Sequence, residues 1–136
     1  MTLIVTASAI LPLRESADLV RMRQAVREHA VKQGLSLVDQ TKLVTAASEL
    51  GRNAIDHGGG GEVIVSAVVN GARHGVRLVF ADTGPGIADV QLALRDGYST
   101  GSGLGLGLGG AKRLCNEFSI ESRPGTGTKV TVTRWR

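Results

Sequence analysis

Glu49 and Asn53 stand four residues apart in the stretch Ser48-Glu49-Leu50-Gly51-Arg52-Asn53-Ala54-Ile55. On a helix that spacing puts both side chains on one face. A carboxylate beside a carboxamide offers a proton acceptor and a neutral oxygen ligand. Mg²⁺ prefers oxygen ligands and keeps several waters when it bridges phosphates, so one amide oxygen from a protein suffices. For this pair alone, a solvated polar helix face is the simpler reading. A second candidate is Asp82, in Phe80-Ala81-Asp82-Thr83-Gly84-Pro85-Gly86-Ile87. A carboxylate at a strand end can accept a hydrogen bond from the exocyclic amine of adenine, which selects adenine over guanine. The same Asp-Thr-Gly-Pro-Gly residues also dominate ordinary turns.

The third block runs from Ser99 to Gly110, with leucines at 104, 106 and 108 between glycines. Gly105, Gly107 and Gly110 match a dinucleotide fingerprint in spacing. The context excludes it, because no strand precedes the block and only 26 residues follow Gly110. Lys112 is followed by Arg113 rather than Ser or Thr, so the block is not a Walker A loop either. What remains is a lid whose glycine amides wrap phosphates at the N terminus of a helix over 111–118, where the helix dipole favours anions. Leu104, Leu106 and Leu108 would anchor that lid when closed. A disordered linker is the other reading, although three alternating leucines are unlike a solvated Gly/Ser linker. Lys112 and Arg113 fall in the first turn of that helix, where they could contact phosphate or a partner, a plain solvated pair being the simpler reading. His29, His57 and His74 are scattered without metal-ligand spacing.

The elements that must position these groups follow from hydrophobic periodicity. Residues 3–11 read as a strand. Leu19, Met22, Val26 and Ala30 recur at helical spacing, giving a helix from Ser16 to Gln33 stopped by Gly34. Ser36-Leu37-Val38-Asp39 reads as a capping box opening a second helix that runs to Ile55 and buries Leu43, Ala46, Ala47, Leu50 and Ala54. Residues 62–70 and 76–81 read as a hairpin around residues 71–75. A short helix is expected over 90–95, then the helix over 111–118, then strands over 119–122 and 128–134. Strand pairs with helices between them predict an α/β two-layer sandwich: a mainly antiparallel mixed sheet with helices on one face.

A chain of 136 residues is read as one domain, with a composition ordinary for a globular protein. No apolar run approaches the roughly 20 residues of a membrane span, and the first residues lack the basic flank of a signal peptide. The single Cys115 forms no internal disulfide, so cytoplasm is the default compartment. The net charge of +4 raises nucleic acid as a partner. Its basic residues are dispersed among acidic ones, and aromatics are only 3% of the chain, too few for a base-stacking platform. An acidic protein partner and a polyanionic nucleotide account for the charge as well, and neither nucleic acid nor membrane is expected as a partner.

In order, spacing and residue types, the three blocks resemble the N, G1 and G2 boxes of the GHKL (Bergerat-fold) ATPases, and Gly125-Thr126-Gly127-Thr128 follows where that family closes its adenine pocket. The resemblance implies ATP and Mg²⁺ as cofactors. It implies that Asn53 coordinates Mg²⁺, that Glu49 orients or deprotonates the attacking hydroxyl, and that Asp82 holds adenine while Gly84 and Gly86 turn the backbone beneath the base. It places Gly101, Gly103, Leu104, Gly105, Leu106 and Gly107 around the phosphates and Thr128 in the water network beside the adenine. Histidine kinases, chaperones, gyrases and repair ATPases carry further domains, so the length points to the small stand-alone serine/threonine kinases. Within them the likeness is to the RsbT-type switch kinases and anti-sigma regulatory factors, through the N and G1 boxes and through 96–100, 109–118 and 134–136. Such kinases phosphorylate STAS-domain scaffold or antagonist proteins and, when released, bind and activate a PP2C-type phosphatase. Two classes stay open: a protein kinase with Glu49 as its base, and a nucleotide-dependent anti-sigma-type binding module.

Overall fold

The computed structural model describes residues 2–95 and 107–136. Its elements are β1 (Ile4–Leu13), α1 (Ser16–Lys32), α2 (Leu37–Asp56), β2 (Gly61–Asn70), β3 (Arg73–Asp82), α3 (Val90–Ala93), α4 (Gly107–Arg113), β4 (Glu117–Arg123) and β5 (Gly127–Trp135). The strands form one sheet in the order β1-β2-β3-β5-β4. The expected two-layer α/β sandwich is present. All four pairings are antiparallel, so no parallel pair of a mixed sheet exists among the described residues. The reason is the return path: after β3 the chain re-enters at the outer edge as β4 and folds back as β5 into the gap beside β3.

Period-two alternation decides which face of the sheet is covered. Val63 and Val65 of β2, Val76, Leu78 and Phe80 of β3, and Val130 and Val132 of β5 are buried beneath the helices. The helices answer with matching stripes: Leu19, Met22, Val26 and Ala30 on α1, and Leu43, Ala46, Ala47, Leu50 and Ala54 on α2. Burying each large aliphatic side chain stabilises the fold by roughly 1.5–3 kcal/mol relative to leaving it in water. The polar side of α2 is satisfied locally. Thr41, Thr45 and Ser48 each donate a hydroxyl to the carbonyl four residues earlier, at 3.0, 2.8 and 2.8 Å.

Several local expectations change. At the start of α2 only half of the capping box forms: Ser36 Oγ accepts the Asp39 N–H at 3.1 Å. The Asp39 carboxylate instead accepts from Arg134 Nη2 at 2.6 Å, tying α2 to β5. Asp18 does reach back, at α1, accepting from the Arg14 and Glu15 N–H groups at 2.9 and 3.1 Å. The β2–β3 turn is two residues, Gly71 and Ala72, rather than five, because Asn70 pairs directly with Arg73. The helix expected over 111–118 runs from Gly107 to Arg113, and Glu117 and Phe118 open β4. Alternation of exposed Glu117, Ser119 and Glu121 with half-buried Phe118, Ile120 and Ser122 makes that stretch an edge strand. Lys112 and Arg113 therefore lie in the last turn of α4, not the first. The helix expected over 90–95 is the single turn Val90–Ala93, N-capped by Asp89.

Candidate functional site

A cavity of about 470 Å³ opens between the C-terminal half of α2, the end of β3 and the start of β5. Its floor is set by strand register. Asp82 of β3 pairs with Thr128 of β5, and two residues along Phe80 pairs with Val130, so both rows present the same face of the sheet. All four line the cavity, with Phe80 and Val130 buried as its apolar base. One wall is α2, through Leu50, Asn53 and Ala54 and then His57 and Gly58. The other is residues 85–89 with Leu92 and Ala93, and α4 adds Gly107 and the buried Leu108.

The acidic end of the cavity rests on close backbone approach. Asp82 Oδ1 accepts the Gly84 N–H at 3.0 Å, which leaves Oδ2 without a hydrogen bond among the described residues. Gly58 lies against this carboxylate: a Cβ there would collide with the Asp82 carboxyl carbon and sit 2.6 Å from Oδ2. A Cβ on Gly84 would in turn lie 2.6 Å from the Gly58 Cα. Gly86 has φ 77° and packs on the Arg123 carbonyl, a backbone position that only glycine occupies without strain. The Pro85 carbonyl accepts the Gly125 N–H at 2.7 Å, locking this loop to the β4–β5 turn.

Behind Thr128 stands Ser122, its partner on β4. Ser122 Oγ accepts the Ile87 N–H at 2.7 Å, lies 2.8 Å from Thr128 Oγ1, and donates to the Gly127 carbonyl at 3.2 Å. Asn53 lines the cavity with its side chain unpaired among the described residues. Glu49 is one turn earlier on the same α2 face, 8% exposed and without a hydrogen bond among the described residues. It does not itself line the cavity. An apolar slot with a carboxylate and a hydroxyl at one end suits a flat heteroaromatic ring that donates from an amine. A carboxamide at the other side suits a hydrated cation and its anion.

The structure thus brings Asn53, Asp82, Gly84, Gly86, Gly107 and Thr128 around one cavity, with Glu49 adjoining. Gly101, Gly103, Leu104, Gly105 and Leu106 lie outside the described residues. Sequence reading missed Gly58, Ser122, His57 and the apolar wall at Ile87, Leu92 and Ala93. Gly58 heads a visible glycine run, but its purpose depends on Asp82 arriving from another element. Ser122 is found only through the β4–β5 register.

Residues 38–135 match the family described as histidine kinase-, DNA gyrase B- and HSP90-like ATPases. The chain is 41% identical over 118 residues, covering 87% of this chain and 89% of the relative, to a Bacillus subtilis protein named serine/threonine-protein kinase RsbT. It is 27% identical over 119 residues to a Thermoanaerobacter protein named anti-sigma F factor, covering 83% and 82% of the two. A crystal structure of the RsbU and RsbW domains of a Mycobacterium tuberculosis protein superposes with a TM-score of 0.64 at 26% identity. That match covers 96% of this chain and 33% of the longer chain, so the likeness spans about a third of it.

Proposed function

The chain belongs to the histidine kinase-, DNA gyrase B- and HSP90-like ATPase family, and from that premise we propose that it is a serine/threonine protein kinase of a partner-switching regulatory system. The observation that carries this reading is the pairing of Glu49 with Asn53. A nucleotide binder needs Asn53 and Asp82 but has no use for a buried carboxylate one turn earlier on the same helix. In this reading Asp82 Oδ2 accepts from the adenine amine, and Phe80 and Val130 support the ring. Asn53 holds Mg²⁺, whose charge would offset that of the phosphates. Glu49 takes the proton of a serine or threonine hydroxyl. The freed oxygen forms a bond to the γ-phosphorus, the bond to the β,γ-bridging oxygen breaks, and ADP leaves. Positioning and charge stabilisation supply most of the acceleration in such transfers.

The acceptor is a STAS-domain antagonist or scaffold protein, and a PP2C-type phosphatase is the partner bound when the kinase is released. Both come from the resemblance to RsbT-type kinases. No helix among the described residues is long and apolar enough to cross a membrane, and the protein is assigned to the cytoplasm on this reading. The 27% identity to a protein named anti-sigma F factor favours a second reading, a nucleotide-dependent binding module with little transfer activity. Intact-mass measurement separates the two. After incubation with Mg²⁺-ATP, a STAS partner gains one phosphoryl group if the protein is a kinase. A partner that binds yet gains none makes it a binding module.

A further inference from the structure

We propose that Ser122, which does not line the nucleotide cavity, sets its preference for a 6-amino over a 6-oxo purine by fixing the Thr128 hydroxyl as an acceptor. The inference rests on the reading of the cavity as an adenine nucleotide site. A serine hydroxyl has one proton and two lone pairs. The Ile87 N–H can only donate, so it occupies one lone pair of Ser122, at 2.7 Å. The Gly127 carbonyl can only accept, so it takes the Ser122 proton, at 3.2 Å. The lone pair left over receives the proton of Thr128, 2.8 Å away. This assignment satisfies all three neighbours at once; the reverse direction between Ser122 and Thr128 leaves the Gly127 carbonyl without the serine proton.

Thr128 then has only lone pairs to offer the cavity. Asp82, its cross-strand neighbour, is in the same condition, with Oδ1 held by the Gly84 N–H and Oδ2 unpaired among the described residues. Two adjacent acceptors match an exocyclic amino group, which carries two protons. They oppose a carbonyl oxygen, which carries none. The β3-β5-β4 row Asp82–Thr128–Ser122 is therefore a polarity relay, and Ser122 is its positioning residue. Loss of the Ser122 hydroxyl frees the Thr128 proton to turn toward the ligand and donate to a 6-oxo group.

The test measures dissociation constants for ATP and for ITP, its 6-oxo analogue, by calorimetry with Mg²⁺ present. Ser122→Ala should narrow the ITP-to-ATP ratio by about three- to tenfold, the size of one hydrogen bond. Thr128→Val should narrow it comparably, and adding Ser122→Ala to that background should change it no further. Ser122→Thr, which keeps the hydroxyl, should restore the wild-type ratio. An unchanged ratio in Ser122→Ala overturns the proposal. So does an equal drop in the Thr128→Val background, which would mean that Ser122 acts only by holding the Ile87 loop. Wild-type protein that binds neither nucleotide would overturn the nucleotide reading along with it.

Discussion

Glu49 and Asn53 share one helical face but make separable demands. Glu49→Gln keeps shape and polarity while removing the proton acceptor. Nucleotide binding should stay near wild type, while single-turnover transfer to the proposed STAS-domain acceptor falls by about 10²–10⁴-fold. Asn53→Ala should weaken Mg²⁺-ATP binding itself, read by titration beside the transfer assay. Transfer at the wild-type rate by Glu49→Gln would remove Glu49 from the chemistry. Gly58 makes a sharper test of the acidic end. A methyl there meets the Asp82 carboxyl group and lies 2.7 Å from the Ala54 carbonyl. Gly58→Ala should raise the ATP dissociation constant by about tenfold or more, a loss of about 1.4 kcal/mol. Undiminished affinity would mean that the end of α2 relaxes away and that Gly58 does not position the carboxylate.

Between elements, one polar tie is Arg134 on β5, which reaches Asp39 at the start of α2 and the Leu114 carbonyl after α4, at 2.6 and 3.3 Å. The Arg134 hydrogen bond holds the Asp39 carboxyl below its usual value, against the opposing effect of burial. Because the folded-state value is lowered, the pair stabilises the protein fully above the unfolded carboxyl range near 3.8. That contribution is lost as pH falls through the lower folded value. Asp39→Asn should therefore cost about 1 kcal/mol at pH 7, discounted for partial exposure. The gap should shrink as pH falls below 3.8 in urea titrations, and a gap that stays undiminished as pH falls further would mean that the charge is irrelevant. The helices α1 and α2 were legible because their apolar stripes repeat at 3.6 residues. The true span of α4 was hidden because glycines at 107, 109 and 110 argue against a helix locally. Buried Leu108 and Ala111 override that preference through tertiary packing.

At the scale of the molecule, the two layers and most strand limits could be read from the chain, because burial on one face imposes period two on strands and 3.6 on helices. The sheet order and the Asp82–Thr128–Ser122 row could not, since register between distant strands has no local signal. One half-buried probe reports on the whole fold. Burial raises the Cys115 thiol to about 11, against the Coulombic pull of Arg134. At pH 8 only about one thiol in a thousand is then ionised in the fold, so alkylation should be slow and accelerate sharply across the urea transition. Rapid labelling of the native protein would show that the α4–β4 corner opens independently.

β5 has a further consequence, in time rather than space. It lies inside the sheet, between β3 and β4, and carries Thr128 and Val130, half of the cavity floor. Its pairing with β3 joins residues 75–82 to 128–135, a contact distant in sequence and therefore slow to form. During synthesis the helix with Glu49 and Asn53 and the β2–β3 hairpin are complete long before any surface exists on which a base could rest. On the proposed reading, competence for nucleotide arrives in one step, when β5 docks, and a chain stalled before Thr128 holds Glu49 and Asn53 ready without a floor for the base.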